Sequence, residues 1–179
     1  VFRDRGGFDL VLGNPPWIPI QWKEAGVLGD FDPRFVLRKL SAKQAADRRE
    51  EALNGPGVLD AYLTEHEEAA GTQAFLGAVR NYPDLEGVKT NLYKCFLPLS
   101  WDLMRTGAAT GLLHPEGVYD DPKGGRLRGA LYPRLRRHFQ FRNAMFLFAE
   151  VHDAANFSIN IYCRLASEQF DTVANLFQP

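Results

Sequence analysis

Apolar and polar positions along the chain change period several times. Phe8-Asp9-Leu10-Val11-Leu12-Gly13 is a short, nearly continuous apolar run that ends in Gly13 and Asn14-Pro15-Pro16. It reads as a buried parallel strand entering a loop, because neither proline can extend a ladder. From Ile18 to about Val88 the chain turns polar. Helical stretches are expected over residues 34–53 and 60–80, on either side of Asn54-Gly55-Pro56-Gly57, and the segment reads as a helical insertion. Residues 91–104 place Leu92, Phe96, Leu99 and Leu103 at helical spacing behind Asn91, which can cap them, while Pro98 marks a kink or a late start. Gly107 and Gly111 bracket a turn into a brief strand at Leu112-Leu113 that ends at His114-Pro115. A loop over 116–125, an arginine-bearing helix over 126–138, and strands over 139–150 and 158–164 follow. Strand, helix, strand, helix, strand is an α/β pattern with helices layered on a sheet.

The 179 residues amount to about one domain, and a hydrophobic share of 45% with 24% charged residues excludes disordered, collagen-like and coiled-coil classes. No run approaches the roughly 18–20 apolar residues that span a bilayer. Val1-Phe2-Arg3-Asp4-Arg5-Gly6-Gly7 lacks the layout of a signal peptide, and Cys95 and Cys163 make no disulfide framework, so a cytoplasmic protein with no membrane partner is expected. The chain starts without Met and ends at Phe177-Gln178-Pro179 without an expected closing element, the pattern of a fragment.

Charge is unevenly spread. Residues 122–179 carry 8 basic and 4 acidic side chains, although the whole chain has a net charge of −1. Lys123, Arg126, Arg128, Arg134, Arg136, Arg137 and Arg142 fall between Pro122 and Ala149 with no acid among them. Such a run suits either a polyanion-facing surface or a solvated face whose arginine stems are buried.

The phosphate loop, the dinucleotide fingerprint and the nucleophile elbow are all missing. Glu65-His66-Glu67-Glu68-Ala69-Ala70 resembles the opening of a zinc-protease helix, but Ala70 stands where the second histidine belongs, and no metal site is expected. Asn14-Pro15-Pro16-Trp17 carries more specific chemistry. An apolar strand feeding Asn-Pro-Pro-aromatic offers an amide oxygen, a backbone carbonyl freed from the ladder and a flat ring in one stiff loop. A planar exocyclic amine needs two acceptors, and an unstacked base needs an aromatic face. The two acceptors also draw the amine nitrogen toward tetrahedral geometry, so that its lone pair is exposed to an electrophilic methyl group. The plainer alternative is a proline-stiffened turn with Trp17 in the core.

The run from Phe8 to Trp17 resembles motif IV of the amino-methylating DNA methyltransferases, whose signature is Asp/Asn/Ser-Pro-Pro-aromatic after a strand. Asn91-Leu92-Tyr93-Lys94-Cys95-Phe96 resembles their Asp/Asn-Leu-Tyr helix, and residues 107–115 resemble their Gly-rich turn and strand. Phe148-Ala149-Glu150-Val151-His152-Asp153-Ala154-Ala155-Asn156-Phe157-Ser158-Ile159 resembles motif VIII. The resemblance touches most of the chain outside the insertion. The long insertion and Leu127-Arg128-Gly129-Ala130-Leu131-Tyr132 are most similar to the restriction-modification and phage-defence methylases.

The resemblance implies a partial Rossmann-like, class I S-adenosylmethionine-dependent methyltransferase sheet with helices on its faces and a helical insertion at about 18–90. Residues 1–179 would be the catalytic half, and the cofactor-binding half and the target-recognition region would lie outside the chain, leaving the isolated fragment inactive. Asn14 and the Pro15 carbonyl would accept hydrogen bonds from the target amine, with Pro16 stiffening the loop and Trp17 stacking on the flipped base. The second stacking residue would be His152, where the family usually has Phe or Tyr, with Phe157 as the fallback. Lys123, Arg126, Arg128, Arg134, Arg136 and Arg137 would hold the backbone of double-stranded DNA. The implied reaction is site-specific transfer from S-adenosylmethionine to the exocyclic amine of adenine, which Asn14 favours only modestly over cytosine. Protein-glutamine and ribosomal-RNA methylases share the loop but are usually compact, and a non-catalytic nucleic-acid-binding module remains a third class.

Overall fold

One mixed five-stranded sheet organises the larger part of the chain. In chain order the elements of the computed structural model are β1 (Phe8–Gly13), α1 (Glu24–Gly29), α2 (Arg34–Leu37), α3 (Ala42–Leu53), α4 (Val58–Gly77), α5 (Leu92–Leu103), β2 (Met104–Pro115), α6 (Gly117–Asp120), α7 (Gly125–Leu131), β3 (Leu135–Arg142), β4 (Asn156–Cys163) and β5 (Asp171–Leu176). The structure describes residues 6–178. Residues 1–5 and Pro179, on which the expectations about a signal layout and the chain's end rest, lie outside them. Two compact units are present, one of Val1–Pro19 with Leu76–Pro179 and one of Ile20–Phe75.

In the first unit the sheet order is β1-β2-β4-β3-β5. β1 runs parallel to β2, β4 is antiparallel to both β2 and β3, and β5 runs parallel to β3. The core gathers Tyr93, Leu97 and Trp101 of α5, Met104, Ala108 and Leu112 of β2, Val118 of α6, Leu127 and Leu131 of α7, Leu135 and Tyr162. Leu97, Leu127, Leu131 and Leu135 are fully buried, each stabilising the fold by about 1.5–3 kcal/mol relative to an exposed position. Gly7 precedes β1 at φ 130, and a Cβ there would lie 2.6 Å from the Leu103 carbonyl oxygen, so the strand's entry requires glycine.

In the second unit, Leu28, Phe35 and Val58 form a small core that Leu40, Leu53 and Tyr62 pack against. Glu24 accepts hydrogen bonds from Arg49 (3.0 Å) and Tyr62 (2.8 Å), and Asp32 pairs with Arg34 and Arg48. Burial works to raise the Glu24 carboxyl, but these two donors hold it below its usual range. His66 stacks on Tyr62 and meets Trp22 edge-on, so the ring of the protease-like segment packs among aromatics.

Several sequence expectations are corrected. The helix expected over 34–53 is two helices, α2 and α3, because Ser41 opens a new helix with a capping box to Gln44. α1 was not expected. β1 is parallel, as expected, but it is not buried: among the described residues it pairs on one side only, and Leu10 and Leu12 are 56% and 70% exposed. Asn91 does cap α5, accepting from the Tyr93 amide, yet the expected stripe is not the core stripe. Tyr93, Leu97, Ser100 and Trp101 are buried, and Phe96 and Leu99 are exposed. β2 starts at Met104, so Gly107 and Gly111 lie inside a long strand rather than bracketing a turn. The arginine-bearing helix ends at Leu131, and the strand after it starts at Leu135 and stops at Arg142. β5 is an additional strand.

Candidate active site

Residues 14–17 leave the sheet where β1 ends beside β2, with Gly13 opposite Leu112. Pro15 is buried, Asn14 and Pro16 are exposed, and Trp17 is half-buried. The loop is tied down beyond both ends. The Trp17 indole N–H donates to the Leu113 carbonyl at 3.4 Å, Pro19 bridges Asn91, and the Leu92 amide donates to the Ile18 carbonyl at 3.0 Å. The Asn14 amide and the Pro15 carbonyl have no hydrogen-bond partner among the described residues. Two acceptors on a braced loop are thus left available.

Two cavities flank this loop. One, of about 610 Å³, lies between residues 14–18 and the segment Leu147, Phe148, Ala149, Glu150 and Val151. The other, of about 310 Å³, is lined by Val11, Leu12, Asn14, Pro15, Phe96, Leu99 and neighbours, none of them charged. The exposed stripe of α5 therefore faces the loop.

Aromatic rings build the floor of the larger cavity. Trp17 lies 5.0 Å from Phe148 and 5.9 Å from Phe157, centroid to centroid. Phe157 is buried, stacks on Phe141 at 5.5 Å and meets Phe148 edge-on at 5.0 Å. Phe157 thus supports the Trp17 ring from behind, whereas Phe148 faces the cavity. His152 is not brought to Trp17. Its side chain is 80% exposed, and its Nδ1 lies 2.8 Å from Asp153 and accepts from the Ala154 amide. Phe148 and Glu150 were not singled out as site residues, although both lie in the segment that resembles motif VIII. The aromatic density of Phe146-Leu147-Phe148 was the available signal.

The wall carrying Phe148 is fixed by Asn143, which is fully buried. Its side-chain amide donates to the carbonyls of Phe148 (2.9 Å) and Val151 (2.7 Å), and its oxygen accepts from the Phe148 amide (3.0 Å).

Behind the end of β2 lies a buried polar cluster. His114 Nδ1 lies 2.9 Å from the Pro115 carbonyl, which can only accept, so Nε2 is the acceptor for the Tyr162 hydroxyl at 2.8 Å. The Tyr119 hydroxyl donates to Asn160 at 2.6 Å. Glu116 accepts from His138 (3.1 Å) and Gln140 (2.9 Å). Burial holds the His114 pKa down to about 4, against the pull of the Pro115 carbonyl and Glu116. Burial also works to raise Glu116, but hydrogen bonds from His138, Ser158 and Gln140 prevail and keep it ionised.

The basic residues are only partly free. Arg128 donates to the carbonyls of Val118 and Asp121, and Arg136 to those of Pro133, Leu135 and Leu165. Arg134 donates to the Ala130 carbonyl and lies 4.9 Å over the Trp101 ring. Arg126 pairs with Glu86, and Arg137 is 4.0 Å from Asp171, both pairs exposed. Lys123 and Arg142 are exposed, and neither side chain has an ion-pair partner among the described residues. No helix among the described residues is long and apolar enough to cross a membrane.

No family model matches the chain, and no curated protein matches it. Among solved structures, the chain is similar to an ATP-dependent Type ISP restriction-modification enzyme, LlaBIII, bound to DNA. The match has 10% identity and a TM-score of 0.46, and covers 96% of this chain and 10% of that one. The chain therefore spans about a tenth of that enzyme's length.

Proposed function

We propose that this chain forms the amine-holding part of a site-specific DNA methyltransferase, acting on the exocyclic nitrogen of a flipped adenine with S-adenosylmethionine as methyl donor. The observation that carries the proposal is the Asn14 side-chain amide and the Pro15 carbonyl, both without hydrogen-bond partners among the described residues, at the edge of a cavity that Trp17 and Phe148 line. Each acceptor takes one N–H of the amine. Together they hold the nitrogen in place and draw its lone pair out of conjugation with the ring, which makes it nucleophilic without a charged base. Trp17, supported by Phe157, supplies a face for the base, and closing the base into the cavity excludes water from the nitrogen.

The residues present do not fit the whole of S-adenosylmethionine. The smaller cavity has no charged lining residue to meet a sulfonium, an ammonium or a carboxylate. The cofactor is accordingly assigned to residues other than these, and this chain's part is to bind, orient and desolvate the amine.

The test is labelled methyl transfer into duplex DNA by the full-length natural protein, followed by separation of the modified nucleosides. Label in N6-methyladenine that falls by about 100-fold or more in Asn14→Ala is expected, the scale of losing a positioned acceptor in a dry site. Label in cytosine would keep the mechanism and change the base. No label in DNA, with cofactor still bound, would overturn the DNA reading in favour of a protein or RNA substrate.

A further inference from the structure

The loop between β3 and β4 carries an apolar tip at the rim of the larger cavity. Met145, Phe146 and Leu147 are 56%, 60% and 43% exposed, while Leu147 and the next residue, Phe148, line the cavity itself. Phe146 has φ 52, a left-handed conformation that costs any residue bearing a Cβ. The loop that carries it is nonetheless tied down on both sides. The Phe146 amide donates to the Asn143 carbonyl at 2.8 Å, and the buried Asn143 side chain anchors the far side of the loop at Phe148 and Val151. At the foot of the loop Arg142 is exposed and has no ion-pair partner among the described residues. An exposed aromatic ring, kept in a costly backbone conformation by a buried anchor beside a cavity, is organised to meet something outside the fold.

We propose that this tip enters duplex DNA as a wedge. Phe146 stacks in the gap left when a base turns into the cavity beside Trp17, and Arg142 meets a neighbouring phosphate. The inference rests on the proposed function, since it takes the cavity to be the destination of a flipped base. Apolar side chains inserted between base steps offset lost stacking, and an aromatic ring does so irrespective of sequence.

The experiment compares binding of the full-length protein to two duplexes of identical sequence, one with a single abasic site that mimics the gap. The wild type is expected to bind the abasic duplex more tightly than the intact one. Phe146→Ala should reduce that preference about tenfold, the scale of one lost base–aromatic stack, with affinity for the intact duplex unchanged within about twofold. Phe146→Gly separates the wedge from folding. Glycine adopts positive φ freely, so this variant should melt at a temperature no lower than the wild type while losing the same preference. If duplex binding persists and both variants keep the full abasic preference, the wedge is overturned and the tip belongs to some other contact, such as a protein partner, while the proposed function stands. If the wild type does not bind duplex DNA at all, the proposed function fails and the wedge fails with it.

Discussion

His114 is fully buried between Tyr93 and Tyr162 with both ring nitrogens engaged, and burial disfavours its charged form. An unfolded chain takes up a proton near the ordinary histidine value of 6.5, whereas the folded chain resists until about 4. The stability contributed by the neutral ring is therefore complete above about pH 6.5 and is lost as pH falls toward 4, amounting to about 2 kcal/mol between pH 7 and 5. Glu116, held below its usual range, acts with the same sign at lower pH still. Denaturant titrations at pH 7 and 5 should show this loss, and His114→Gln, less stable at pH 7, should show a flatter profile. Little of this was legible in the sequence, where His114 stands merely at the end of an apolar run. Its partners Asn160 and Tyr162 arrive through the pairing of β4 with β2, which no local pattern announces. Asn143 was hidden because the strand expected over 139–150 ran straight through it, whereas β3 stops at Arg142 and Asn143 anchors the loop that follows. By contrast, Asn14-Pro15-Pro16-Trp17 was legible because its chemistry is contained in four consecutive residues.

At the scale of elements, the basic stretch divides by what its charged heads meet. Reading 126–138 as one helix put its arginines on a common surface. Pro133 cannot continue the ladder of α7, and residues 135–142 pair as a strand with a register shift between Leu135 and Arg137, so the arginines are not gathered on one helical face. Arg128, Arg134 and Arg136 hold backbone carbonyls, and Arg134 also covers Trp101. Arg134→Ala should therefore lower stability by about 1–2 kcal/mol and leave the salt dependence of DNA binding unaltered. Lys123→Ala and Arg142→Ala should do the reverse: melting is unchanged, and the slope of log affinity against log salt falls by about 0.9 for each phosphate contact removed. A flat slope in both would remove these residues from any DNA surface. α5 teaches a related lesson. It is apolar on two faces, and spacing alone could not decide between Leu92-Phe96-Leu99-Leu103 and Tyr93-Leu97-Trp101. The sheet chose the second stripe, and the first was left facing the loop that carries Asn14.

Across the whole molecule, the layered α/β character and the place of β1 and α5 could be read from hydrophobic period, while strand order could not. β4 lies between β2 and β3, and β5 beyond β3, through pairings that depend on contacts distant in sequence. That order gives the sheet two unlike margins. β5 is interrupted by Asn175 at φ 61, with a register shift where it meets β3, so its outer side makes a poor template. β1 has its own register shift against β2 between Phe8 and Leu10, but no residue within it adopts positive φ, and from Leu10 to Gly13 it runs unbroken with Leu10 and Leu12 in the open. A concentrated solution of this chain should therefore join β1 to β1. Because such a union uses the same margin from each partner, it closes about a two-fold axis and stops at a pair, whereas a sheet open on both sides would lengthen into fibres. Sedimentation should reveal a pair and nothing larger, dispersed by Leu12→Lys: the asymmetry of the sheet sets a ceiling on how far the molecule can assemble with itself.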